Sequence, residues 1–164
     1  MRKAQSKILR NISLLVVLAF ILGFLHEVWK RDQLPPGTQE MVAKLEEISS
    51  SHRESVQRMI AASQSPQREK IIQNYLQVSR DWPTEVQIAR QFFKTHLAGK
   101  TMRVKAKLAG KALQAKSLQT LLEESKGIFE NALEGKMDGR FTELMQYDAN
   151  RAYEKIFPKM HNSQ

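Results

Sequence analysis

Residues 93–122, FKTHLAGKTMRVKAKLAGKALQAKSLQTLL, carry the pattern that decides the fold. Apolar side chains recur there at helical spacing, at Phe93, Leu97, Val104, Leu108, Ala115, Leu118 and Leu122. The segment Leu-Ala-Gly-Lys occurs at 97–100 and again eleven residues later at 108–111. Eleven residues are close to three α-helical turns, so the repeat keeps one face aligned along a nearly straight helix. We therefore predict a continuous helix, kinked at most, across both Gly99 and Gly110.

Similar apolar stripes extend on both sides of this stretch. Helical spacing recurs before it, from residue 38 onward, and after it, through 117–134 and a final segment that ends at Pro158. Turn-forming residues separate the stripes at 34–37, 63–66, 81–85 and 135–139. No segment shows the sustained alternation typical of a β-strand. The sequence predicts an all-α fold, an antiparallel bundle of four to five helices over 38–157, with a frayed tail at 158–164.

The first thirty residues have the pattern of a membrane anchor. A basic head containing Arg2, Lys3, Lys7 and Arg10 precedes the apolar run ISLLVVLAFILGFL at 12–25. Ile8 and Leu9 extend the run on one side, and Val28 and Trp29 on the other. We predict a transmembrane signal-anchor at 12–31, a cytoplasmic basic head at 1–11 and a linker at 32–37. A cleaved signal peptide is the alternative, but it needs small residues after the run, and residues 26–31 contain none.

Lysine and arginine counts near the span predict its orientation. The N-terminal side carries more of them, which places that end in the cytoplasm and the remainder outside it. In a bacterium this is a single-pass inner-membrane protein with a periplasmic domain. A mitochondrial inner-membrane location is the alternative, because no acidic residue precedes Glu27.

The net charge of +9 is unevenly distributed along the chain. Residues 86–122 hold eight basic and no acidic side chains. On a helix, Lys100, Arg103, Lys107 and Lys111 would share one face, and Lys94, Lys105 and Lys116 would widen the basic surface to a second face. This predicts a surface for an acidic protein, an anionic lipid or lipopolysaccharide; the alternative is a solvated face paired with downstream acidic residues. Nucleic acid is disfavoured, because no aromatic side chain lies among the cations suitably for base stacking.

Several kinds of chemistry are excluded or disfavoured. The absence of cysteine excludes disulfides, thiolate metal sites and a thiol nucleophile. No phosphate-binding glycine motif and no closely spaced histidine pair occurs. His52 lies on a predicted apolar stripe, where a core histidine is the simplest interpretation, and the methionines, Met102 included, are interpreted as core residues. We therefore predict no cofactor, no metal and no enzymatic activity.

A cluster of aromatic residues lies near the turn at 81–85. Core packing is the simplest role for Trp82, Phe92 and Phe93, but an exposed Trp82 beside Pro83 would be a partner-binding anchor. The predicted function is a membrane-anchored protein-interaction module, an accessory, scaffold or regulatory subunit of an assembly such as a secretion or conjugation system. Its partner would be a membrane or extracytoplasmic protein, and the oligomeric state stays open. The alternatives are an anchored sensor of a small ligand or metal, and a basic tether to anionic lipid.

Overall fold

A computed structural model of the protein describes residues 2–62, 65–136 and 143, with side chains from residue 15 onward. The regular secondary structure of these residues is entirely helical, which confirms the all-α prediction. The helices are α1 (Arg2–Arg31), α2 (Thr38–Ala61), α3 (Arg68–Val78), α4 (Trp82–Thr95) and α5 (Met102–Leu133). A short 3₁₀ helix, Ser79–Asp81, joins α3 to α4. The predicted final helix and the tail at 158–164 lie, apart from residue 143, outside the described residues.

Helices α2 to α5 pack as a bundle around one core. Helix α4 packs mainly against α5, and α2 contacts α3, α4 and α5. The short connection at 96–101 makes α4 and α5 antiparallel neighbours. The predicted stripes face inward, and their largest fully buried apolar side chains include Ile48, Val56, Ile72, Val86, Phe93, Leu108, Leu118 and Phe129.

The prediction of one helix across both glycines is half correct. Gly110 lies inside α5, as predicted, but Gly99 has φ 72° and lies in the connection between α4 and α5. Thr101 then caps α5, its hydroxyl accepting a hydrogen bond from the Val104 backbone N–H at 3.4 Å. Continuity across Gly99 is therefore wrong. Apolar spacing could not reveal the break, because the stripes before and after Gly99 both face the same core.

The N-terminal helix α1 continues without interruption to Arg31. Among the described residues, no helix is both long enough and apolar enough to cross a membrane. The predicted transmembrane span is therefore not shown.

The end of α1 is joined to the connection between α4 and α5. The Thr101 backbone N–H donates to the Arg31 carbonyl oxygen at 3.2 Å, and the Thr101 hydroxyl donates to Asp32 Oδ1 at 2.7 Å. Lys100 Nζ donates to the Gln33 carbonyl oxygen at 2.8 Å. The first turn of α5 is thus fixed beside the end of α1.

The segment at 32–37 is also held by packing. Pro35 is buried, and its carbonyl oxygen accepts a 2.7 Å hydrogen bond from the buried Thr38 hydroxyl. Gly37 has φ 85°, and the ring of Phe92 lies 3.7 Å from the position that a β-carbon would occupy. This segment is therefore a docked junction between α1 and the bundle.

Candidate functional site

The solvent-facing side of α5 carries an apolar strip over its first three turns. We define the apolar strip as Met102, Ala106, Ala109 and Leu113, whose spacings of 4, 3 and 4 place them on one face. All four are exposed, Met102 at 80% and Leu113 at 64% of their accessible surface. The strip was not predicted from the sequence, because Met102 was interpreted as a core residue. The helical spacing of its four residues was the signal in the sequence that could have revealed the strip.

Basic side chains lie along both edges of the apolar strip. At 3.6 residues per turn, Arg103 lies about 90° and Lys107 about 130° round the helix from the centre of the strip on one side, whereas Lys105 and Lys116 lie about 70° and about 50° from it on the other. Lys111 is half-buried, farther round the helix at the border with the core. Long lysine stems at such borders cover apolar surface while their ammonium groups stay in water. The strip is therefore an apolar surface with cations on both sides.

Two of the seven predicted basic residues lie outside α5, because the chain leaves the helix at Gly99. Lys94 is in the last turn of α4, and Lys100 is in the connection, where it binds Gln33. The predicted face through Lys100, Arg103, Lys107 and Lys111 is therefore corrected for Lys100, whereas the other three residues share α5. The structure places five of the predicted residues on α5, with Arg103, Lys107 and Lys111 on one side of the helix and Lys105 and Lys116 on the other.

The cations of this surface have no acidic partners within the described part of the chain. Glu130 pairs instead with Lys126 at 3.7 Å, and Glu134 pairs with Lys136 at 3.0 Å. Glu123 accepts a 3.0 Å hydrogen bond from Gln119. The alternative interpretation paired the basic stretch with Glu123, Glu124, Glu130 and Glu134, and for Glu123, Glu130 and Glu134 the described contacts do not support it.

The aromatic cluster is mostly core. Trp82 is only 9% exposed, and its ring meets that of Tyr75 edge-on at a centroid distance of 5.9 Å. Phe93 is fully buried, whereas Phe92 is half-buried against Gly37. Trp82 and Phe93 cannot touch a partner in this fold, so their assignment as surface anchors is corrected. Phe92 alone keeps part of its ring accessible.

A second surface, the acidic groove, lies between α2 and α4. This shallow groove of ≈ 480 Å³ is lined by Glu40, Met41, Ala43, Lys44, Glu47, Glu85 and Ile88. Lys44 Nζ lies 3.5 Å from Glu47 and 3.4 Å from Glu85, and these carboxylates raise the pKa of Lys44. The groove is negatively charged, because three carboxylates (Glu40, Glu47 and Glu85) face the single ammonium group of Lys44. Sequence analysis missed it, because it depends on which side of α4 meets α2.

A buried polar network joins α2, α3 and α5 through His52. His52 Nδ1 lies 3.0 Å from the Tyr75 hydroxyl, and Nε2 lies 3.4 Å from Ser125 Oγ. The Ser125 hydroxyl donates in turn to the Leu121 carbonyl oxygen at 2.7 Å. Burial lowers the pKa of His52 to about 4, so its imidazole is neutral at pH 7. His52 was predicted as a core residue, but its contacts with Tyr75 and Ser125 were not predicted.

The remaining observations give no direct identification of a ligand. Over the ranges that the structure describes, no group of three or more histidine, aspartate or glutamate side chains could hold a metal ion. In comparisons with protein-family models, curated proteins and solved structures, nothing matches this chain. The function must therefore be argued from its surfaces.

Proposed function

We propose that this protein is a membrane-anchored, non-enzymatic helical interaction module, an accessory, scaffold or regulatory subunit of a membrane or envelope assembly. The observation that carries the proposal is the apolar strip of α5 with cations along both edges. Apolar area supplies affinity when it is removed from water. Flanking cations select an acidic partner and accelerate its association. We call the face formed by this strip and its cations the α5 surface.

The anchoring part of the proposal rests on α1. From residue 15 to residue 29 its large apolar side chains are exposed around the helix, Phe20 at 81%. Burying apolar surface stabilises a protein by about 25 cal/mol per Å², and these side chains would lack that stabilisation in water. Residues 8–29 would span about 33 Å at 1.5 Å per residue, which is comparable to the hydrocarbon thickness of a bilayer.

The proposed location follows from the same helix. Four lysine and arginine side chains lie close before the apolar run, and only Lys30 and Arg31 lie close after it, which favours a cytoplasmic N-terminus and an extracytoplasmic bundle. The bacterial inner membrane is the proposed site, with the mitochondrial inner membrane as the alternative.

The junction at the end of α1 supports a role beside the membrane. Because Thr101 and Lys100 are hydrogen-bonded to residues 31–33, the first turns of α5 stay next to the end of the anchor. The α5 surface would then lie close to the bilayer, within reach of other anchored proteins.

The experiment is a pull-down of the full-length protein from membranes in mild detergent. The test variant is Arg103→Gln with Lys107→Gln, and the control is Lys70→Gln with Arg80→Gln, which removes the same charge from exposed positions elsewhere. We expect a membrane or envelope protein that presents an acidic surface to be recovered with wild type and control, and lost with the test variant. Equal recovery with wild type and with the test variant would contradict the proposed surface. Release of the protein from membranes by an alkaline wash would contradict the anchor.

A further inference from the structure

The α5 surface and the acidic groove have complementary chemistry. The α5 surface surrounds Met102 and Leu113 with cations, and the stretch 86–122 contains no acid. The groove surrounds Met41 and Ile88 with carboxylates, and Ile88 is 57% exposed. Glu40, at the groove's edge, has no basic partner in the described structure. Opposite charges around two apolar centres are the arrangement expected of two surfaces that bind each other.

The two surfaces also lie at the same end of the bundle. The groove uses the first three turns of α2, and the apolar strip uses the first three turns of α5. Glu47 lies about 14 Å along α2 from its start, and Leu113 lies about 17 Å along α5 from its start. Both helices begin beside the end of α1, because the junction at 31–33 holds the start of α5 there. Copies anchored in one membrane would therefore present both surfaces at the same height.

The surfaces do not cover each other within one copy, since the strip and the groove residues Ala43 and Ile88 are exposed. We infer that the α5 surface of one copy docks into the acidic groove of a second copy of this chain. This inference rests on the proposed function, because it names the partner of the same surface. A second copy accounts for both surfaces together, whereas an anionic lipid would leave the groove without a role.

The contact is heterologous, because different patches of the two copies meet. Ala106 and Ala109 keep the middle of the strip flat, so that the two partners can approach closely. Each docked pair leaves one groove and one strip unoccupied, so further copies can add. The contact area is small, and confinement to one membrane would strengthen it by raising the effective concentration.

Disulfide cross-linking tests the inference cleanly, because the chain contains no cysteine. Full-length Ala43→Cys and Ala106→Cys proteins, each with a different tag, would be mixed in one lipid vesicle and oxidised. Ala43 lines the groove and Ala106 lies in the strip, and both are exposed. We expect a disulfide between the two variants and none within either alone. Ala61→Cys, exposed at the far end of α2, is the control and should not cross-link to Ala106→Cys.

Charge reversal shows whether the two surfaces meet directly. Arg103→Glu with Lys107→Glu in the Ala106→Cys copy should reduce cross-linking to the control level. Glu40→Lys with Glu47→Lys in the Ala43→Cys copy should then restore it. Restoration requires that the reversed groups lie opposite each other, so it separates docking from a loss of folding.

Other outcomes would overturn the inference. A disulfide between two Ala106→Cys copies would show a symmetric contact through the strip instead. Cross-linking that depends on anionic lipid, with no rescue by the second reversal, would assign the cations to the lipid. A third result would separate the two proposals. If no cross-link forms, docking between copies is wrong. If wild type still recovers a different protein in the pull-down and the Arg103→Gln, Lys107→Gln variant does not, the proposed function stands.

Discussion

The Thr101 hydroxyl donates a 2.7 Å hydrogen bond to Asp32 Oδ1, across 69 positions of sequence. The same residue caps α5 and donates its backbone N–H to Arg31. One threonine thereby joins the start of the longest helix in the bundle to the end of α1. The orientation of the α5 surface relative to α1 depends on this junction.

Replacing Thr101 should therefore weaken both the start of α5 and its attachment to the end of α1. Thr101→Val removes the bond to Asp32 and the cap on Val104, and we expect the free energy of unfolding to fall by about 1–2 kcal/mol. Thr101→Ser keeps both hydroxyl contacts and serves as the control. Chemical denaturation of the two variants measures the difference. Equal stability of Thr101→Val and Thr101→Ser would contradict the assigned contacts.

The His52 network predicts a stability that depends on pH. The folded pKa of His52 is lowered to about 4 from 6.5, so between these values the unfolded chain takes up a proton that the folded chain does not. Stability is unaffected by this group above pH 6.5 and falls as the pH drops toward 4, by about 3 kcal/mol in all.

The comparison that isolates this effect uses His52→Gln. Carboxylates also titrate below pH 5, so the difference in unfolding free energy between wild type and variant is followed from pH 7.5 to pH 4. We expect the difference to shrink, or to reverse, as the pH falls. A difference that stays constant over this range would mean that His52 is not held neutral in the core.

The two glycines of the repeat should respond oppositely to alanine. Gly99 has φ 72°, a backbone conformation that costs an L-residue about 1–2 kcal/mol, so Gly99→Ala should destabilise the protein. Gly110 lies inside α5 with nothing within 4 Å of an added β-carbon, so Gly110→Ala should stabilise it by about 1 kcal/mol. Thermal unfolding reports both signs. Stabilisation by both substitutions would favour the continuous helix that the repeat alone predicts.

The inward-facing stripes were predictable, because burial imposes a helical period on apolar residues. Leu108, Ala115 and Leu118 are all buried as the pattern indicates. Met102 was not placed in the same way. Its helical spacing nevertheless places it on the opposite side of α5 from the buried residues Val104 and Leu108, which was the available signal.

The other differences between the sequence-based predictions and the structure arise from tertiary packing. Trp82 begins α4, directly after the 3₁₀ helix, where its ring turns inward against Tyr75. The acidic groove exists only because Glu85 and Ile88 lie on the side of α4 next to α2. Neither relationship leaves a periodic signal in the sequence, since each depends on contacts between separate helices.

The central claim is that the α5 surface binds a partner, and Leu113 tests it most directly. Leu113→Ser and the control Val78→Ser each replace an exposed apolar residue, so both should change the unfolding free energy by no more than about 0.5 kcal/mol. The measurement is partner recovery from membranes by each full-length variant relative to wild type. We predict a clear loss of recovery with Leu113→Ser and none with Val78→Ser. Equal recovery by all three proteins would contradict the account.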